Sequence, residues 1–431
     1  MKMKLNNQPK QFYKLAIGLI LAIFLSVTLL QPAIGKEVVV TFGETKIENY
    51  FPGGIRFSVK IDINDHRGVV TFHYRLGGDF WSYDSAKCSA KINDDNKVEY
   101  YSCVYYLDTT GMPPQLPISY KWQLYGSVDR TSEEKNVIYE NPDFDWQSLV
   151  ANNLTIWWHD HSAEFAHQIL STSQTSVQQQ EALYGVKLQQ PIQIVIQNSE
   201  DEFYEWRERE SRSIGGVAFP WIGTTVQIIE IDMQKSFMDE WLNEVIPHEI
   251  SHLYFFQVTA REHANPPSWL DEGMAGYNEN SDHSHDWLLV RRAIQNETLM
   301  PLGDLRGDFI GDEENIRLAY AEGTTAIIYI IETYHQEGLK KLFSAYQAGR
   351  NSDEAFLEAF GRTVSDFEKD WEIWVVEQTN QPRNTIKVLS YVLFSLTIIC
   401  SCTLASIFVI IFLIVAFNNK IKVQPVPRNI G

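Results

Sequence analysis

The chain has 431 residues, enough for two or three domains with a sizeable core, and carries 55 acidic against 36 basic side chains. The imbalance is deepest away from the ends: residues 1–35 and 387–431 each hold four basic residues and no acids, which leaves 28 basic against 55 acidic between them. Such a surface repels phosphate backbones, so nucleic acid is excluded as a partner, and it suits a domain kept soluble outside the cytoplasm.

Residues 1–35 read as an export signal. Lys2, Lys4, Lys10 and Lys14 precede an apolar run from Leu15 to Leu30, and Ala33-Ile34-Gly35 offers a small-x-small cleavage site. Left uncleaved, the same run would serve as a membrane anchor. Residues 36–142 then alternate apolar and polar side chains over 55–61, 69–75, 100–106 and 118–124, after an apolar opening at 38–42. Pro52-Gly53-Gly54, Asn64-Asp65 and Gly77-Gly78 punctuate them. Short strands at this spacing predict an all-β sandwich of immunoglobulin or fibronectin-III type, with its many aromatic residues in the core and in cross-strand pairs. Cys88 and Cys103 lie 15 apart where export allows oxidation, so they either bridge two neighbouring strands or stay free. This domain would hold its neighbour above the membrane or bind a partner.

Residues 142–149 form a boundary, and 145–380 follow as an α+β domain. Strands are expected at 154–158 and 192–196, helices at 163–183 and 200–209, and two more strands at 215–219 and 224–231. His159 and His161 sit at a strand end, where polar side chains commonly face water, with no carboxylate or third ligand at a telling spacing. His283 and His285 have the same status, and His263 falls in a loop.

The stretch 247–273 carries the chemistry. His248, Glu249 and His252 form H-E-x-x-H, and residues i and i+4 of a helix share a face, so both imidazoles reach one metal ion. Glu249 then stands beside that ion without binding it, where it can activate a water. Trp241, Leu242, Val245, Ile246, Leu253, Phe255 and Phe256 make the helix apolar on most of its circumference, and a metal directly satisfies polar groups buried with it. A catalytic zinc takes three protein ligands and keeps one position open. Glu272, in Trp269-Leu270-Asp271-Glu272-Gly273 after a Pro-Pro turn, is the natural third ligand. A metzincin needs Gly and a third His where Phe255 and Val258 stand, and is excluded.

H-E-x-x-H followed by W-L-x-E-G resembles the gluzincin metallopeptidases, in particular the peptidase MA-like families of bacterial proteins. Gly215-Gly216-Val217-Ala218-Phe219-Pro220 and Leu318-Ala319-Tyr320-Ala321 are similar to the same family, and the likeness spans 145–377. The resemblance implies a thermolysin-like α+β domain with a C-terminal helical part, a Zn2+ cofactor on His248, His252 and Glu272, and peptide or protein substrates. It also implies a sheet edge that pairs with substrate, for which 216–219 and 225–229 are candidates unless both are interior. Tyr320 would donate to a developing oxyanion, unless it is only a packed aromatic at a helix start. Where thermolysin-type enzymes have an Asp to orient a ligand His, this chain has Gly276, which leaves Asp271, Glu279 or Glu244 to substitute.

Further helices are expected at 286–296, 315–334, 337–347, 352–360 and 364–377. Residues 388–417 then run for 30 positions without a charge, longer than the ~20 needed to span a bilayer. Cys400 and Cys402 lie inside that span, and Lys420, Lys422 and Arg428 in 418–431 suit a cytoplasmic tail. The expectation is a single-span cell-membrane protein with its ectodomain outside the cytoplasm; nothing in the sequence sets its oligomeric state. The expected activity is peptide hydrolysis by a zinc-bound water with Glu249 as general base. Endopeptidase is favoured, since the G-x-M-E-N run that holds a substrate amine in aminopeptidases of this class is missing. Two other classes stay open: a retired zinc-binding surface protein acting in adhesion, against which the retention of Glu249 speaks, and a zinc amide hydrolase acting on envelope material.

Overall fold

Alternation of apolar and polar side chains builds the first of two compact units, residues up to Asp145 together with Glu200–Ser211. The computed structural model describes residues 39–380, apart from 64–67, 78–80, 127–128, 210–214, 260–264 and 308. The expected export signal, the apolar run 388–417, the tail 418–431 and His263 lie outside the described residues. Among the described residues no helix is long and apolar enough to cross a membrane.

Two five-stranded antiparallel sheets form the first unit. One has the order β1 (Val40–Phe42), β3 (Gly54–Ile63), β7 (Val98–Asp108), β6 (Lys87–Ile92), with β2 (Lys46–Tyr50) also on β3. The other runs β10 (Lys135–Tyr139), β8 (Leu116–Tyr125), β4 (Val69–Leu76), β5 (Ser82–Ser85), with β9 (Arg130–Thr131) on β8. Ile55, Phe57, Val59, Ile61 and Ile63 alternate inward from β3, opposite Ile118, Tyr120, Trp122 and Leu124 of β8. Phe57 and Phe72 meet between the sheets at 4.6 Å, and Trp122 lies edge-on to Phe72 at 4.8 Å, so aromatics do fill this core. Cys88 of β6 faces Cys103 of β7 in register, and the two are bonded. The short helix Glu200–Trp206 completes the unit with Phe203 and Trp206 buried, and its Glu205 accepts from Asn141 Nδ2 at 3.0 Å. It ends three residues before the expected 209.

The second unit, Trp146–Ser199 with the residues from Arg212 onward, holds a five-stranded sheet of order β11 (Gln147–Ala151), β12 (Leu154–Trp158), β13 (Ile192–Gln197), β15 (Thr224–Ile228), β14 (Gly216–Phe219). The three middle strands are parallel, and β11 and β14 run antiparallel at the two edges. All five residues of β15 are buried, so 225–229 is interior and only β14 remains as an edge near the H-E-x-x-H helix. Between β12 and β13 runs α1 (Ala163–Tyr184), started by the Ser162 side chain accepting from Phe165 N and stopped by Gly185 in the left-handed region. The short helix already described is α2.

The remaining helices are α3 (Lys235–Glu240), α4 (Ile246–Thr259), α5 (Ser268–Asn278), α6 (Ser284–Asn296), α7 (Glu313–Gln347), α8 (Ser352–Phe360) and α9 (Val364–Asn380). The two helices expected at 315–334 and 337–347 are both present, joined end to end as α7 across a kink at His335, whose backbone is non-helical with φ 59°. Helices α5 and α7 cross closely. A Cβ on Gly273 would stand 2.5 Å from the Gly323 carbonyl oxygen, and one on Gly276 2.1 Å from Thr324 Oγ1, so neither position admits a side chain without displacement. That crossing fixes the helix of Glu272 against the helix of Tyr320.

Candidate metal centre

A five-residue π-helical turn, Trp241–Val245, leads into α4. Ile246, Ile250, Leu253, Tyr254 and Phe255 anchor α4 in the core, which leaves His248 and His252 one turn apart on its remaining face with ring centroids 4.9 Å apart. Glu272 arrives from the first half of α5. Its Oε2 lies 3.5 Å from His248 Nε2 and 3.5 Å from His252 Nε2. One donor atom from each of the three residues falls within 4.8 Å of the others, and among the described residues no other such group of His, Cys, Asp and Glu occurs.

The other ring nitrogens are already engaged. His248 Nδ1 is 2.8 Å from Glu279 Oε1, and His252 Nδ1 is 2.8 Å from Asp271 Oδ1. Each carboxylate takes an Nδ1 proton and so turns the Nε2 lone pair toward Glu272. Burial pulls the His248 imidazole down, but hydrogen bonds to Glu272 and Glu279 outweigh it and hold the ring well above its ordinary value. For His252, burial is likewise outweighed by the charges of Asp271 and Glu272, which bring it to about 9. Two nitrogens that bind a proton this firmly amid carboxylates bind a divalent cation in its place, and borderline-soft zinc takes this nitrogen and oxygen set. The donor set fits zinc.

Glu249 is buried on the same helix, and burial is the chief cause that pushes its carboxyl above the ordinary value, against the pull of His252 and His248. Gly216, at the start of the edge strand β14, lies directly over it: a Cβ there would be 3.1 Å from Glu249 Cγ and 3.3 Å from Oε1. Tyr320, on the second turn of α7, has its ring centroid 6.4 Å from that of His248 and is braced edge-on by Phe309 at 5.1 Å.

All five expected site residues thus meet in one place. Of the three substitutes for the missing Asp, Glu279 serves His248 and Asp271 serves His252. Glu244 has its carboxyl raised by burial and by Glu279, and sits on neither ring. Gly276 shows why an Asp would not fit: its Cα lies against Thr324, so the task falls to Glu279, just past the end of α5. His159 does not face water as expected, and His161 is half-buried. His159 is buried with its Nδ1 at 2.8 Å from Asp160 and 3.2 Å from Asn198, and His161 Nε2 meets the Ile229 carbonyl oxygen at 3.0 Å. His283 precedes α6 and pairs with Asp286, while His285 lines a surface groove with Leu289, Asp312 and Arg317. The bracing of Tyr320 by Phe309 went unread in the sequence, since nothing local to residue 309 signals it.

Among known proteins, the model of the Peptidase MA superfamily matches residues 172–377, a little under half of the chain, and the match contains His248, Glu249, His252, Glu272 and Tyr320. No curated protein matches. Among solved structures, an aminopeptidase N family protein from Idiomarina loihiensis is similar at 10% identity over 82% of this chain and 75% of that one, with a TM-score of 0.30. By that match, residues 172–377 are similar to peptidase domains of the Peptidase MA superfamily.

Proposed function

We propose that this protein is a membrane-anchored, extracytoplasmic zinc metallopeptidase whose thermolysin-like gluzincin domain cuts within peptide chains. The observation that carries the reading is the convergence of His248, His252 and Glu272 around one point, with Glu249 buried beside them. Zinc bound by those three residues would supply a Lewis acid that brings the pKa of a water toward ~7 and polarises a carbonyl.

The chain's own residues do the rest. Glu249 takes the proton of the attacking water on its carboxylate, an uptake favoured by the raised proton affinity of the buried group, and passes it to the leaving amine nitrogen. Tyr320 donates its hydroxyl proton to the oxyanion that develops on the scissile carbonyl. The edge strand β14 pairs with the substrate backbone by strand addition, and Gly216 lets that backbone approach Glu249 without a side chain between them. In the first unit, the distribution of strands over two Greek-key sheets supports an immunoglobulin-type sandwich. Residues 1–35 and 388–417, as export signal and membrane span, place both units outside the cytoplasm.

Purified wild-type chain beside Glu249→Gln, each assayed for zinc and for cleavage of a broad peptide library, tests this. About one zinc in both, with hydrolysis lost roughly 10²–10⁴-fold in the variant, is the expected result. Zinc in both and cleavage in neither would move the protein to a binding role, and zinc in neither would remove the basis of the reading.

A further inference from the structure

Gln227 lies in β15 with its side chain fully buried, and among the described residues neither its Oε1 nor its Nε2 has a hydrogen-bond partner. Native interiors leave few polar groups in that state, and each calls for an explanation. Register fixes where this one points. Gln227 stands opposite Gly216 across β15 and β14, and directly opposed residues of an antiparallel pair project to one face with Cβ positions about 4.5–5.5 Å apart. On that face, the space a Cβ of residue 216 would take is filled by Glu249, 3.1 Å away at Cγ and 3.3 Å at Oε1. The side chain of Gln227 therefore lies on the face of the sheet that Glu249 covers.

Resting on the peptidase reading above, we propose that Gln227 is a positioning residue for Glu249: a turn of its side chain brings the Nε2 that is unpartnered in this structure to one carboxylate oxygen and so aims the other at the attacking water. The buried donor and the buried acid answer each other. A carboxylate held from one side cannot rotate away from the scissile bond, and Gly216 is the one residue type that keeps the gap between them clear. Gln227 touches no reacting atom in this arrangement and acts through Glu249 alone.

Gln180 offers the competing role. Its Oε1 is also buried without a partner, while its Nε2 donates to Ser176 Oγ at 3.1 Å and to the Pro247 carbonyl oxygen at 3.3 Å. Were Gln227 paired with Gln180, it would be a packing element with no bearing on catalysis.

The full-length chain decides between the two through Gln227→Met and Gln180→Met, each made in the wild type and in a Glu249→Met background. Replacing an unpartnered buried amide with a thioether of similar length leaves the fold intact, and Gln227→Leu stands in should the Met variant melt without a cooperative transition. Gln227→Met should keep about one zinc per chain and a KM within roughly twofold of wild type, while kcat on a peptide library falls about 10–100-fold, the range found for groups that orient a catalytic partner. Gln180→Met should leave kcat unchanged. In thermal unfolding, Gln227→Met should shift the midpoint in the wild type by an amount that changes when Glu249 is already Met, because the two substitutions couple. Unchanged kcat, or a Gln227→Met shift of the midpoint that is the same in both backgrounds, overturns the proposal. A wild-type chain that cuts no peptide would instead refute the peptidase reading, and the unfolding cycle would still decide the role of Gln227.

Discussion

At the scale of single residues, the centre depends on the carboxylates behind the histidines as much as on the ligands. Glu279→Ala and Asp271→Ala each free an Nδ1 and the ring it orients, so zinc affinity should fall roughly 10–100-fold in either variant, read by competition with a chromophoric chelator. Glu322 makes a second case away from the centre. Burial, with the charges of Glu368 and Glu372 adding to it, raises its carboxyl to about 8 although Met300 N donates to it. The unfolded chain gives up this proton near 4.5 while the folded protein keeps it up to about 8, so Glu322 makes stability fall as pH rises across that window. Glu322→Gln keeps an acceptor for Met300 N and cannot ionise. Urea unfolding at pH 5 and pH 8 should show a smaller loss in the variant than in the wild type, with a residual slope from Glu368, whose carboxyl is also raised by burial. The ligands were legible because H-E-x-x-H is a local pattern that helix geometry converts into a shared face. Their ring-holding partners were legible only as a choice of three, since whether Glu279 or Glu244 reaches His248 depends on where α5 ends.

At the scale of elements, strands with one buried and one open face read clearly from period two, as β3, β7 and β8 did. The strands β5, β6 and β9 escaped because every residue in them is exposed, so no alternation marks them. Which of β14 and β15 forms the edge escaped for another reason: strand order is a property of the sheet, and both sequences are short and apolar. The α5–α7 crossing supports a sharper prediction. In Gly276→Ala the added methyl meets a side chain, Thr324 Oγ1, and in Gly273→Ala it meets the Gly323 backbone oxygen. Both should destabilise by about 1–3 kcal/mol or more. Adding Thr324→Ala should recover much of the loss at 276 and none at 273, as denaturant midpoints would show.

At the scale of the whole molecule, the charge pattern and the two apolar ends make a prediction about place. A chain ended at residue 386 should be released from membranes in soluble form, while the full chain stays with the membrane fraction after alkaline extraction. Mature protein should begin at Lys36 by N-terminal sequencing if the export signal is cleaved. The division into a β unit and an α+β unit was legible from the switch of period near 142–149. The return of Glu200–Ser211 to the first unit was not, because a short helical pattern says nothing about which core it joins.

That return sets an order of events during synthesis. The β unit is encoded in two pieces separated by Trp146–Ser199, so a ribosome that has delivered its ten described strands has not yet delivered the helix Glu200–Trp206 that belongs to it. Its last piece emerges only after the strands β11, β12 and β13 of the second unit's sheet. A gene shortened to begin at Trp146 would still encode Glu200–Trp206 without the strands of the unit it belongs to. The N-terminal unit is therefore no independent cassette, since one of its helices is encoded beyond Ser199.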